Sequence, residues 1–320
     1  MSSSLLTGGA GLSEDLGTES LTQSAWSEAV RRFRRDKFAM GGLVLALILC
    51  ILAVLAPVIS MLVGHGPNQL FPSELNSFGL PAGPSIKFLM GVDQQGRDLL
   101  VRCLYGLGTS LSVSLLATAI GTSIGVAAGL LAGYFGGWID TVVGRWADVF
   151  LAVPLVLVAI SISSVCSVSA SGCLDGAVQP GIGLVVLILT LAGWPYIARI
   201  VRGQTLMICN QEFVPAARAM GASHFQVMFL EILPNLLVQI IVYAALLIPT
   251  NVIFEATLSY LGVGIPPTTP SLGGILSDAT AGGLFTYAWW MMAFPGAFLI
   301  LITISFNVVG DGVRDALGTS

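Results

Sequence analysis

The run Phe38-Ala-Met-Gly-Gly-Leu-Val-Leu-Ala-Leu-Ile-Leu-Cys-Ile-Leu-Ala-Val-Leu-Ala-Pro-Val-Ile-Ser-Met-Leu-Val63 decides the fold. It holds no charged residue, and Arg31, Arg32, Arg34, Arg35 and Lys37 stand just before it. As a helix, about 20 apolar residues cross the hydrocarbon core of a bilayer, so this run is one complete span. A cleavable leader has a shorter apolar region near the start of the chain. Here residues 1–25 are rich in Ser, Gly and Thr and read as a disordered tail. The run is an anchored first helix.

The pattern recurs along the chain. Asp, Glu, Lys and Arg are also absent between Cys103 and Ile139, Val149 and Leu174, Gly176 and Ala198, Ile232 and Phe254, and Ala279 and Gly310. With the first run this predicts six spans, at about 38–63, 107–132, 147–167, 181–203, 236–262 and 289–310. The composition agrees: 55% of residues are hydrophobic and 9% charged, against roughly 25% charged in soluble domains. Inside lipid every backbone polar group needs an internal partner, which leaves helices or a closed barrel. Barrel strands alternate in polarity, whereas these runs are unbroken. The expectation is an all-α membrane protein, a bundle of six transmembrane helices.

Basic residues mark the cytoplasmic side of a membrane protein. With the N-terminus inside, that face collects Arg31, Arg32, Arg34, Arg35, Lys37, Arg145, Arg199, Arg202, Arg218 and Arg314, and the outside keeps Lys87, Arg97 and Arg102. Both termini are therefore expected in the cytoplasm. The chain divides into a cytoplasmic tail (1–37), the first helix with a long external loop (38–106), a five-helix core (107–316) and a short C-terminal tail (317–320). The core contains one substantial internal loop, 210–234. No G-x-x-x-x-G-K-[ST] phosphate loop occurs, so any ATP chemistry belongs to a partner.

The internal loop runs from Glu212-Phe-Val-Pro-Ala-Ala-Arg-Ala-Met-Gly221 through Ala-Ser-His-Phe-Gln-Val-Met-Phe-Leu-Glu-Ile-Leu to Pro234. Proline is tolerated only in a first turn, so Pro215 predicts a helix starting near Glu212, whose carboxylate suits the positive end. Ala216, Ala217 and Ala219 keep that helix thin. Gly221 permits a sharp turn, Ser223 and Gln226 have capping-box spacing for a second helix, and Pro234 is expected to end it at the membrane. Such a pair can be a knob for another protein's groove, or an amphipathic pair lying at the interface. The residues alone leave both open.

This loop resembles the cytoplasmic coupling signature of binding-protein-dependent ABC importer permeases, E-x-x-x-A-A-x-x-x-G followed by L-P. Glu212, Ala216, Ala217, Gly221, Leu233 and Pro234 match it. Four further segments resemble the dipeptide/oligopeptide/nickel subgroup, in its second (C-type) permease subunit. They are Gly91-Val-Asp93-Gln-Gln-Gly96-Arg97-Asp98 with Arg102 and Tyr105-Gly106; Glu255-Ala-Thr-Leu-Ser259-Tyr-Leu261-Gly262-Val-Gly264; Pro270-Ser271-Leu-Gly273; and Phe306-Asn307-Val-Val-Gly310-Asp311-Gly312-Val-Arg314-Asp315. The resemblance implies a type I importer permease fold and a multi-pass place in the cell membrane. It also implies a non-catalytic chain with no cofactor of its own, ATP and Mg being held by two ATP-binding subunits. A second, non-identical permease and an extracellular solute-binding protein complete the expected complex, in contact with lipid and with no nucleic acid. The loop, with Ser223, would dock on an ATP-binding subunit and pass its motion to the helices. Peptides are the expected solute, with nickel or another small solute as the alternative.

Other residues carry two readings each. Gly121, Gly125, Gly129 and Gly133 form a stripe that suits close helix packing, either static or as a sliding surface between permease halves. Glu255 lies in an apolar run, where a carboxylate is costly; it either lines the solute path, with Asp93, Arg97 and Arg102 at an external gate, or makes a structural ion pair or hydrogen bond. Cys166 and Cys173 bracket an external loop and are candidates for a disulfide. The five cysteines and two histidines form no metal-ligand spacing. Gly121-Thr-Ser123-Ile-Gly125 matches the hydrolase elbow pattern but falls inside a helix with no base near, which argues against an intramembrane hydrolase. An ion-coupled carrier would need buried charged relays, and it leaves the internal loop unexplained.

Overall fold

The computed structural model describes Glu28, residues 30–168 and residues 180–318. The expected tail at 1–25 and Cys173 lie outside the described residues. Nine helices carry the architecture among the described residues: α1 (Lys37–Val63), α2 (Leu99–Phe135), α3 (Gly137–Ala152), α4 (Leu155–Val168), α5 (Ile182–Cys209), α6 (Phe213–Ala219), α7 (His224–Tyr260), α8 (Leu272–Thr280) and α9 (Trp290–Ala316). Five of them are long and apolar enough to cross a bilayer, and the bent pair α3–α4 makes a sixth span if counted as one.

Local chemistry sets the boundaries. Asp36 caps α1, accepting from the amides of Phe38 at 2.8 Å and Ala39 at 3.2 Å. Asp98 caps α2 in the same way through Leu100 at 2.9 Å and Val101 at 3.3 Å. The second helix therefore starts at Leu99, not 107, because an aspartate cap fixes it and its early charge, Arg102, is paired within the fold. The third span is not the single helix expected at 147–167. It is α3 and α4 meeting at 84° across Val153 and Pro154; proline has no N–H for the helical ladder and disfavours helix in the residue before it.

Pro234 does not end the second helix of the internal loop. α7 runs through it from His224 to Tyr260, widened to a π-helix over Val227–Ile232. The Leu233 amide bonds five residues back to Met228 O, and Pro234, the next residue, has no amide to place. The segment 263–288, which reads as a loop, contains the nine-residue helix α8, capped by Ser271 through the Gly274 amide at 3.1 Å.

The glycine stripe lies against α5 of the same chain. A Cβ added at Gly125 would sit 2.7 Å from Ile197 Cβ, and one at Gly133 2.9 Å from Arg202 O. Gly121 has ordinary room, 3.7 Å from Thr190 O. The stripe is thus not a sliding face for a second permease: its own fourth span fills it. α1 packs on α9 and α2 and leaves an aliphatic outer face.

Candidate functional site

Two ends of the bundle carry the notable side chains. At one end, α6 and the start of α7 form an elbow. Val214 and Ala217 point into a core with Leu130, Ile197, Val201, Val227 and Ile232, which seats α6 against the bundle. Glu212, Pro215 and Ala216 are exposed on the other side. The turn closes α6 by a double bond pattern: Ala222 N–H donates to Ala217 O at 3.1 Å and Gly221 N–H to Arg218 O at 3.0 Å. This Schellman closure needs a left-handed residue after the helix, and Gly221 supplies it at φ 92. Ser223 then starts α7 with both bonds of the capping box, Gln226 N to Ser223 Oγ at 3.3 Å and Ser223 N to Gln226 Oε1 at 2.8 Å. The turn is hydrogen-bonded on both sides.

The elbow is tied to the last turn of α2. Tyr134 OH and His224 Nδ1 are 2.8 Å apart, and the Arg218 guanidinium lies over the Tyr134 ring, 4.8 Å from its centroid. Nearby, Arg202 holds Asp140 and Arg199 holds Asp148, pinning α3 to α5. Sequence reasoning missed Tyr134, because its partners are remote in the chain. Around the turn the surface is apolar: Met220 is 83% exposed, Phe225 65% and Leu230 68%. Such a surface can receive another protein.

At the other end, residues 65–98 fold over the bundle. Asp93 Oδ2 accepts from Arg97 Nε at 2.6 Å and lies 3.2 Å from Arg102 Nε. Arg97 Nη2 donates to Asp278 Oδ2 at 3.3 Å, and Arg102 Nη1 to Pro67 O and Asn68 Oδ1, both at 3.2 Å. Burial raises the Asp278 pKa above the ordinary aspartate value, opposed by the charges of Arg97 and Arg102. His65 Nδ1 meets Asp98 Oδ2 at 2.6 Å, and the His65 ring stacks on Phe88. A cleft of about 200 Å³ opens beside this network, lined by Arg102, Ser259, Ser277 and Asp278. Among the described residues no group of three His, Cys, Asp or Glu could hold a metal ion.

Residues 125–319, more than half of the chain, match the family model of the binding-protein-dependent transport system inner membrane component. The chain belongs to this family. A second model, the N-terminal TM domain of oligopeptide transport permease C, matches residues 24–77 of the permease. Over 96% of the permease and 93% of the relative, it is 35% identical to the oligopeptide transport system permease protein OppC of Bacillus subtilis (strain 168). It is 37% identical to the dipeptide transport system permease protein DppC of the same organism, over 93% and 85%. It is 36% identical to the glutathione transport system permease protein GsiD of Escherichia coli O6:K15:H31 (strain 536 / UPEC), over 92% and 90%. In fold it resembles a chain of the inward-facing MetNI methionine ABC transporter, with a TM-score of 0.52, 22% identity, and coverage of 67% of the permease and 96% of that chain.

The sequence singled out Asp93, Arg97, Arg102 and Glu255 together, and the permease separates them. The first three share one buried network with Asp278, which no local pattern announced. Glu255 does not join it and is fully buried between α2 and α7. Its carboxylate accepts from Ser110 Oγ at 2.5 Å and Ser259 Oγ at 2.7 Å. One turn along, Asn251 Nδ2 donates to Thr118 Oγ1 at 2.9 Å. Glu255 thus makes a hydrogen-bonded link between two spans, the structural one of its two readings. The matched motifs around Glu255 and Ser271 meet directly, since Gly273 packs its Cα against the Ala256 backbone with no space for a Cβ. Cys166 is disulfide-bonded, whereas Cys50, Cys103 and Cys209 are free thiols. Its expected partner, Cys173, is outside the described residues.

Proposed function

We propose that this permease forms half of the translocation pathway of an ATP-driven importer of peptides. The observation that carries the reading is its likeness to an oligopeptide and a dipeptide permease at 35% and 37% identity over most of both chains. In this reading the chain catalyses no covalent step. Two ATP-binding subunits hold ATP and Mg, and a second, non-identical permease supplies the other half of the pathway. A solute-binding protein outside delivers the peptide, with both termini and the elbow on the cytoplasmic side.

The elbow fits the coupling role. Its exposed apolar surface suits a partner's groove, while the Schellman turn, the capping box and the Tyr134 anchor keep it from yielding under load. Motion of the ATP-binding subunits then passes from Glu212, Ala216 and Gly221 through α7 into the bundle. Isolation of the complex through a tag on this chain, followed by reconstitution in vesicles, tests the proposal. The expected result is ATP-dependent uptake of short peptides by a complex holding an ATPase and a different permease. Uptake without ATP, or a complex whose only permease is this chain, overturns it.

A further inference from the structure

A cleft of about 480 Å³ opens between α5, α7 and the end of α9, within the ~300–1,000 Å³ range of small-molecule sites. Tyr196 and Gln204 line it from α5, Gln239, Tyr243 and Leu246 from α7, and Arg314 from α9. The rings of Tyr196 and Tyr243 meet edge to face at 6.5 Å. Gln239 Oε1 is buried and finds no hydrogen-bond donor among the described residues.

This face differs in kind from the lipid-facing side of the bundle. On α1 the outward residues are aliphatic, among them Val44, Leu47, Ile51 and Val54. An amide oxygen without a partner in hydrocarbon is costly, and Gln239 lies within a span, so its side of the cleft is built to meet water or a polar solute. Gln204 and Arg314 at the span ends also favour this. The chemistry of the lining narrows that solute. A glutamine side chain offers one acceptor and two donors, complementary to the N–H and C=O of a peptide bond. Among the described lining residues there is no carboxylate to select peptides by a basic side chain.

We infer that the cleft is a subsite for the backbone of the passing peptide, with Gln204 and Gln239 bonding peptide amides and the two tyrosines flanking the chain. The inference rests on the peptide reading above and adds which part of a peptide the pathway would grip, the backbone that all peptides share.

The test uses the complex purified through this chain and reconstituted in vesicles, with radiolabelled di-, tri- and pentaalanine as probes. Gln204→Leu combined with Gln239→Leu is expected to lower uptake at least tenfold per complex. Separately, Gln239→Cys, in a chain with Cys50, Cys103 and Cys209 replaced, is expected to react with a charged thiol reagent and to be protected by millimolar trialanine. Wild-type complex that imports none of the three probes overturns the peptide reading, and the subsite with it. Wild-type import matched by the double variant overturns the subsite alone. So does a Gln239→Cys thiol that is unreactive, which would mean a partner or lipid fills the cleft, or one that trialanine leaves unprotected.

Discussion

His224 Nδ1 lies 2.8 Å from the hydroxyl of Tyr134, joining the first turn of α7 to the last turn of α2 across 90 residues of chain. The Arg218 guanidinium caps the same ring from α6, so one tyrosine holds both arms of the elbow. A cation over an aromatic face contributes about 0.5–1 kcal/mol at exposed sites, and a side-chain hydrogen bond about 0.5–1.5 kcal/mol. These are small beside the whole fold but large for the position of a seven-residue helix. Tyr134→Phe keeps the ring under Arg218 and loses the bond; Tyr134→Ala loses both. Uptake per ATP hydrolysed in vesicles is expected to fall in the order wild type, Tyr134→Phe, Tyr134→Ala. Equal ratios for all three would remove Tyr134 from the coupling path.

Glu255 makes its link to α2 through a single donor, Ser110. Ser110→Ala leaves the buried carboxylate one bond short, at a cost of about 1–3 kcal/mol. Ser112→Ala removes a partly buried hydroxyl that, among the described residues, bonds Thr109 O alone and serves as the control. The thermal midpoint of the detergent-solubilised complex is expected to drop for Ser110→Ala and to stay near wild type for Ser112→Ala. Equal midpoints would mean that the link carries no stability.

The spans were legible because burial in lipid is a property of composition: a run without charge is visible in one dimension. The elbow was legible for a similar reason, since a glycine turn and a capping box are local, set by Gly221, Ser223 and Gln226 themselves. What failed depends on distant partners or on breaks within apolar runs. Asp278 joins Arg97 from 181 residues away, and Ser110 finds Glu255 only through the register of α2 on α7. The 84° bend at Pro154 hides inside a segment whose hydropathy is continuous, and the π-turn before Pro234 depends on backbone bonding that the residue pattern does not show. α8 is short and holds Gly273 and Gly274, so its pattern reads as loop; its first turn is instead fixed by contact with Ala256.

The glycines of α2 differ in how closely α5 approaches them. A Cβ at Gly129 would meet the Ala198 carbonyl and sit 2.8 Å from Val201 Cβ, so two packed spans must separate. At Gly121 the nearest atom is 3.7 Å away, an ordinary contact. Overpacking of a close interface costs about 1–3 kcal/mol. Gly129→Ala is therefore expected to lower the thermal midpoint and the yield of complex, with Gly121→Ala near neutral. The reverse order would contradict the α2–α5 register.

The turn at Gly221 allows backbone strain to be separated from contact with another chain. Gly221 sits at φ 92, and beyond its two chain neighbours no described residue comes within 4 Å of where a Cβ would project. Any L-residue there meets the left-handed penalty, about 1–2 kcal/mol, and alanine and leucine meet it equally. A leucine adds bulk that this chain alone leaves unopposed. If the elbow is seated in an ATP-binding subunit, that bulk presses on the partner, so Gly221→Leu loses far more transport than Gly221→Ala. Both variants are expected to insert in the membrane, because no span is changed. In vesicles Gly221→Ala keeps most of its uptake, while Gly221→Leu loses uptake and its ATPase no longer responds to the loaded binding protein. Equal, partial losses in the two variants would assign the turn to backbone strain alone. Full, solute-stimulated transport by Gly221→Leu would exclude this turn from the contact that couples ATP to movement of the solute.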